Sequence, residues 1–199
     1  MKISTLFATL LLIHPFASAD WQGFRGTLGN GKIEGKISPD LNLTSSKSWN
    51  IALPGRGLSS PIIIDNLILV TASSGPQQSN LHILAYNVGN GVLAWERIFK
   101  ATGRTICHSK TSVAASTMVS NGNVVVAQFS SNDIFCLDLN GNLVWLRGLT
   151  FDYPNIANGL GMSSSPVMAK GVLIAQVEND ADSFTFGLNI QNGTTLWKK

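Results

Sequence analysis

The sequence predicts an all-β fold built from repeated units of about four short strands, and three observations carry that prediction. Tryptophans form a ladder at Trp49, Trp95, Trp145 and Trp197, the last three 50 and 52 residues apart. Between them, short apolar runs are separated by turn dipeptides such as Asp65-Asn66, Asn121-Gly122 and Asn140-Gly141. Beyond the first residues, no apolar run keeps a 3.6-residue spacing for ten residues, so the helix signal is missing. A period of this size, with four strands per unit, belongs to a propeller or solenoid assembled one sheet at a time.

Residues 1–19 read as a signal peptide: Lys2 supplies a basic start, Leu6–Ile13 an apolar run and Ala17-Ser18-Ala19 a cleavage site. The apolar run is too short to cross a bilayer, and no later stretch approaches the roughly 20 apolar residues a membrane helix needs. The expected location is therefore outside the cytoplasm, periplasmic or secreted. Beyond residue 19, thirteen cationic and eleven acidic side chains remain, a net charge of +2. Nothing in that balance resembles the Lys/Arg clustering that nucleic-acid binding requires. The export signal also permits a disulfide between Cys107 and Cys136, against which stands the alternative that Cys136 is a small buried hydrophobe.

Residues 20–48 are rich in Gly and Ser, with scattered anchors at Trp21, Phe24 and Leu43, and read as an irregular arm lying across the repeats. Trp49 then mimics the closing tryptophan of a unit whose earlier strands are missing. From residue 49 to 199 the repeats follow, with blades at about 58–97, 112–148 and 162–199. In the first, strands are expected at Pro61–Ile64, Leu67–Thr71, Leu81–Tyr86 and Val92–Arg97, with a polar loop at Ser73–Asn80. In the second they are expected near Ala115–Val119, Val124–Phe129, Ile134–Leu137 and Leu143–Leu146, with turns at Asn121-Gly122, Ser131-Asn132 and Asn140-Gly141. Asn-Gly supplies the positive φ angles that a type I′ hairpin demands. The third unit repeats the plan up to Trp197. Because the second blade alone has a full blade on each side, Trp145 should be the best covered tryptophan of the ladder.

Each unit shares an ending: Ala85 and Asn87 with Gly91 and Trp95; Cys136 and Asp138 with Gly141 and Trp145; Gly187 and Asn189 with Gly193 and Trp197. A small strand residue, an Asx that bonds the hairpin backbone, a glycine in the left-handed turn position and an outer-strand tryptophan are docking parts rather than reactive ones. This A-x-[DN]-x-x-x-G-x-x-x-W pattern resembles the repeat of the pyrroloquinoline-quinone-like (quinoprotein-type) β-propellers, including the BamB-like exported bacterial group. The likeness covers roughly Trp49 to Trp197, although the second unit is one residue shorter between Asp138 and Gly141. The resemblance implies a β-propeller segment of three four-stranded blades, an incomplete part of a ring of seven or eight. Quinoprotein dehydrogenases of this type hold the quinone with Ca²⁺ and usually supply an Asp base, and they carry an adjacent-cysteine disulfide that Cys107 and Cys136 cannot form.

Candidate sites beyond the repeat are few. Glu178-Asn179-Asp180-Ala181-Asp182 alternates oxygen ligands as hard cations prefer but lacks the glycine and distal Glu of a calcium loop, and reads as a solvated hairpin. His82 opens a strand, and His108 sits in a loop beside Cys107 without a third orienting group or an oxyanion hole. The recurring Ser59-Ser60, Ser116-Thr117 and Ser163-Ser164-Ser165 suit crowding at a propeller axis rather than hydrolysis. Arg56, Arg104, His108 and Lys110 place cationic or titratable groups on loops ahead of the blades, where they could meet an anionic ligand or a partner. The expected function is a non-enzymatic exported scaffold binding protein or envelope partners through blade loops. The alternative is the N-terminal part of a quinone- and Ca²⁺-dependent dehydrogenase. In either case three blades leave open edges, which missing blades or a second copy must cover.

Overall fold

The computed structural model describes residues 20–33, 48–156, 158–180 and 183–199. The predicted leader and Leu43 lie outside them. Every strand of the described residues belongs to one of three antiparallel sheets, each a four-stranded meander of consecutive strands. The first holds β1 (Ile62–Ile64), β2 (Leu67–Ser74), β3 (Asn80–Asn87) and β4 (Leu93–Lys100). The second holds β5 (Val119–Ser120), β6 (Val124–Gln128), β7 (Asp133–Asp138) and β8 (Leu143–Gly148). The third holds β9 (Val167–Ala169), β10 (Val172–Val177), β11 (Phe184–Asn189) and β12 (Thr195–Lys198). The chain is an all-β propeller segment.

Strand alternation explains how sheets become blades. On β3, Leu81, Ile83 and Ala85 point into a core shared with Val125, Ala127, Phe129, Phe135 and Leu137 of the second sheet. On β7, Ile134 and Cys136 point the opposite way, into a second core with Leu173, Ala175, Phe186 and Leu188 of the third. A middle strand is thus buried on both faces and reads as a nearly continuous apolar run, because successive side chains of a strand go to opposite sides. Phe135 stacks on Phe99 at 4.2 Å between ring centres and meets Phe129 edge-on at 5.9 Å, which locks the first core. Each such fully buried side chain contributes on the order of 1.5–3 kcal/mol.

Several sequence expectations change in detail. β2 runs on to Ser74 and β3 begins at Asn80, so the polar loop shrinks to a tight connection holding a 3₁₀ turn at Pro76–Gln78. The strand expected from Ala115 is only Val119–Ser120; just ahead of it the Thr117 N–H donates to the Ser165 side chain rather than to a strand partner. Asn121-Gly122 is not a type I′ turn: Gly122 alone has positive φ, 87°, while Asn121 Oδ1 accepts from the Asn123 and Val124 N–H groups. A helical turn, α1 (Leu149–Asp152), opens the second long connection. Both cysteines are free: Cys136 lies in the second core, and Cys107 Sγ accepts from Gln78 Nε2 at 3.4 Å beside the first.

Residues 20–33 make contact with two of the sheets. Trp21 exchanges two backbone hydrogen bonds with Ile63 of β1, and the Gln22 carbonyl accepts from the Ser120 N–H of β5. Gly26, at φ 86°, folds over the Trp21 ring, where a Cβ would meet the indole at 2.8 Å. Phe24, expected as an anchor, is instead 53% exposed, because that turn carries it past the sheet.

Candidate functional site

The repeated residues form one device, seen three times. On each sheet the tryptophan of the outer strand stands opposite the small residue of the third: Trp95 opposite Ala85, Trp145 opposite Cys136, Trp197 opposite Gly187. The indole then overhangs its sheet and lands on the following blade. A Cβ placed on Gly91 would lie 2.6 Å from the Trp49 ring, one on Gly141 2.7 Å from Trp95, and one on Gly193 2.8 Å from Trp145. All three glycines have positive φ. Each indole N–H also donates to a main-chain carbonyl of that next blade: Trp49 to Val88 at 2.9 Å, Trp95 to Leu139 at 2.8 Å and Trp145 to Ile190 at 2.7 Å.

The Asx position sets the glycine's place. Gly91, Gly141 and Gly193 donate their N–H to the carbonyls of Asn87, Asp138 and Asn189. Asp138 Oδ1 accepts from the Asn140 and Asn142 N–H groups, and its Oδ2 from Asn142 Nδ2. Those donors, led by the Asn142 side chain, hold the Asp138 carboxyl below the usual carboxylate range. Trp145 is 8% exposed, whereas Trp49 is 37% and Trp197 38% exposed. Trp145 is the buried member of the ladder, enclosed between Cys136 of its own sheet and Gly193 and Ile190 of the next.

The cationic loop residues do not converge. Arg56, Arg104, His108 and Lys110 are all exposed, and no hydrogen bond or ion pair joins their side chains to one another. Arg56 is tied down by its backbone, which bonds Ser73 in both directions at 2.8 Å. The His108 N–H donates to the Leu160 carbonyl, and Lys110 N to His108 Nδ1 at 3.1 Å. Arg104 follows Gly103, whose Cα lies against the Ser131 carbonyl.

Acidic and amide side chains at the loop tips hold the connections between blades. Asp133, 1% exposed, accepts from Thr102 N at 3.0 Å, from Thr102 Oγ1 and from Ser131 Oγ at 2.6 Å. Burial pushes its carboxyl up, and those hydrogen bonds oppose the shift. Glu178 Oε1 accepts from Ser164 Oγ, and Asp180 Oδ2 from Gly159 N. Asp182 lies outside the described residues.

A quinone held with Ca²⁺ needs several oxygen ligands converging on one point. Among the described residues no three His, Cys, Asp or Glu side chains converge in that way, and the Glu178 and Asp180 carboxylates already serve loop donors. The described residues do not by themselves fit that group.

One constellation escaped sequence reading. Ser74, His82 and Glu96 come from three strands, and register places them on one face: Ser74 stands opposite Asn80, and Glu96 opposite Leu84, both two residues from His82. His82 Nε2 is 2.7 Å from Ser74 Oγ, and His82 Nδ1 2.7 Å from Glu96 Oε1. His82 was visible in the sequence as a strand residue, but its partners could be found only from the pairing of β2, β3 and β4.

Comparison with known proteins follows the fold. A family model described as outer membrane protein assembly factor BamB matches residues 43–199. Among solved structures, quinohemoprotein alcohol dehydrogenase from Comamonas testosteroni superposes with a TM-score of 0.55 at 17% identity, over 73% of this chain and 21% of that one. A europium-containing methanol dehydrogenase gives 0.50 at 12% identity, over 69% of this chain and 23% of that one. BamB from Moraxella catarrhalis gives 0.45 at 15% identity, over 76% and 51%. The two dehydrogenase likenesses speak for the fold alone, and the chain spans less than a quarter of the length of those two proteins. No curated protein matches the chain by sequence. No helix among the described residues is long and apolar enough to cross a membrane.

Proposed function

The chain belongs to the family of the outer membrane protein assembly factor BamB, and from that premise we propose that it is an exported, periplasmic scaffold that binds protein or envelope partners rather than a catalyst of redox chemistry. The observation that carries this reading is the use to which the repeat is put. Tryptophan and glycine join blade to blade, and the Asx and small residue position them, which leaves the connecting loops to distinguish one partner from another. Arg56, Arg104, His108 and Lys110 stand exposed on such loops, and in this reading they contact the partner.

The same device defines an unfilled place. Trp197 covers Gly187 of its own sheet, yet no following glycine turn lies under its indole among the described residues. The reading assigns that position to a further repeat, from a longer chain or from a second copy.

The competing reading, a part of a quinone-dependent dehydrogenase, rests on the shared fold, and fold membership does not carry activity. Titrating the purified protein with pyrroloquinoline quinone and Ca²⁺ separates the two. The scaffold reading expects no stoichiometric uptake by absorbance; saturable binding of one quinone per chain would overturn it. Replacing Arg56, Arg104 and Lys110 together by Glu should abolish binding to envelope partners while leaving the urea midpoint within error, and unchanged binding would remove the loops from the account.

A further inference from the structure

We propose that Ser74 is a nucleophile, activated by His82 and Glu96, that accepts an acyl group from small esters. This activity is separate from the scaffold reading and does not depend on it. The roles follow from what each atom can do. A carboxylate only accepts hydrogen bonds, so at 2.7 Å from Glu96 Oε1 the His82 Nδ1 carries a proton. In the neutral ring Nε2 is then the acceptor, and it faces Ser74 Oγ at 2.7 Å. Nucleophile, base and orienting carboxylate therefore stand in hydrogen-bonded series, the arrangement that activates a serine hydroxyl.

The surroundings support a built site rather than a chance contact. His82 is buried, which holds the imidazole in one orientation, while Ser74 is only half-buried and open to a reagent. Asn80 Nδ2 lies 3.4 Å from Ser74 Oγ. Lys100 Nζ bonds Asn80 Oδ1, and because an ammonium can only donate, it fixes the amide with its N–H side toward the serine. Gly75, at φ 74°, keeps the space clear: a Cβ there would stand 2.7 Å from Asn80 Nδ2. The amide thus donates to Ser74 Oγ, which leaves the hydroxyl proton for His82 Nε2.

In the proposed step Ser74 Oγ bonds to the ester carbonyl carbon and its proton passes to His82 Nε2. The imidazolium is stabilised by Glu96. The carbonyl re-forms, the C–O bond to the alcohol breaks and the alkoxide takes the proton from Nε2. Water, deprotonated by the same imidazole, then releases the acid and restores the serine hydroxyl. Glu96 acts through His82 and is a positioning residue.

The test uses the full exported chain and a fluorophosphonate, which forms a Ser–O–P bond as fluoride leaves. Intact mass should show one adduct per chain, mapped to Ser74 by peptide sequencing and lost in Ser74→Ala. Labelling should slow at least tenfold in Glu96→Gln and recover substantially in Glu96→Asp, with circular dichroism and urea midpoints showing that all variants fold. Urea-unfolded protein should not label. No adduct on the folded protein, an adduct elsewhere, or an unchanged rate in folded Glu96→Gln would overturn the proposal. A variant that failed to fold would be replaced in the comparison by the wild-type result alone, which decides the first two outcomes.

Discussion

The indole of Trp145 is held between Cys136 of its own sheet and Gly193 of the next, with its N–H bonded to the Ile190 carbonyl at 2.7 Å. A side chain that reaches from one blade to the next in this way makes docking a property of the repeat itself. Truncating it should therefore cost more than truncating the ladder's last member. Trp145→Ala is expected to lose about 3–5 kcal/mol, as for other buried aromatic truncations, whereas Trp197→Ala should cost less than half as much. Urea denaturation of the two variants measures the difference.

The glycines beneath the rings make a stricter prediction. Gly141→Ala combines a φ of 79° with a methyl 2.7 Å from the Trp95 ring, and should cost at least about 2 kcal/mol, the strained backbone supplying about 1–3 of it. Gly29→Ala serves as the control, since its φ of 65° meets nothing within 4 Å. It should cost only the backbone share. Equal losses at the two sites would show that the rings do not rest on the turns.

How much of this was legible beforehand is instructive. The Trp, Gly and Asx positions announce themselves by recurrence, and turn chemistry located the hairpins to within a few residues. What recurrence cannot say is which blade a tryptophan serves, because Trp95 stands as near in sequence to its own Gly91 as a partner could be, yet its ring lies on Gly141. Asp133 and the Ser74–His82–Glu96 series were hidden for a related reason. Neither repeats from blade to blade; Asp133 depends on a loop 31 residues away, and the Ser74–His82–Glu96 series on register across three strands. Of the expected anchors, Trp21 is tied to β1 through its backbone while Phe24 is 53% exposed, a difference that aromatic character does not reveal.

Two carboxylates should pull the pH dependence of stability in opposite directions. Asp133 has a folded pKa above its unfolded value of about 3.9, so its contribution is complete below that value and is lost as pH rises through the folded one. Asp138, held low by Asn142 and neighbouring N–H groups, contributes above the unfolded value and loses that contribution as pH falls through the folded one. Urea midpoints from pH 3 to 7 for Asp133→Asn and Asp138→Asn, each relative to the parent, should therefore slope with opposite signs.

The cysteines give a chemical check on the cores. Burial pushes the Cys136 thiol up to about 12, and it lies under Trp145, whereas Cys107 is half-buried in a loop. A thiol reagent at pH 8 should modify one cysteine in the native protein and two in urea. Two equally reactive native thiols would contradict the packing around Trp145, and none in urea would reveal a disulfide.

The repeat docks blade to blade through its tryptophans, and in the proposed reading Trp197 does the same with a further repeat or a second copy. Light scattering on residues 20–199 at micromolar concentration tests it most directly. The account predicts association into dimers or larger species, weakened when Trp197 is replaced by Ser. A stable, well-behaved monomer whose mass is indifferent to that replacement would contradict it.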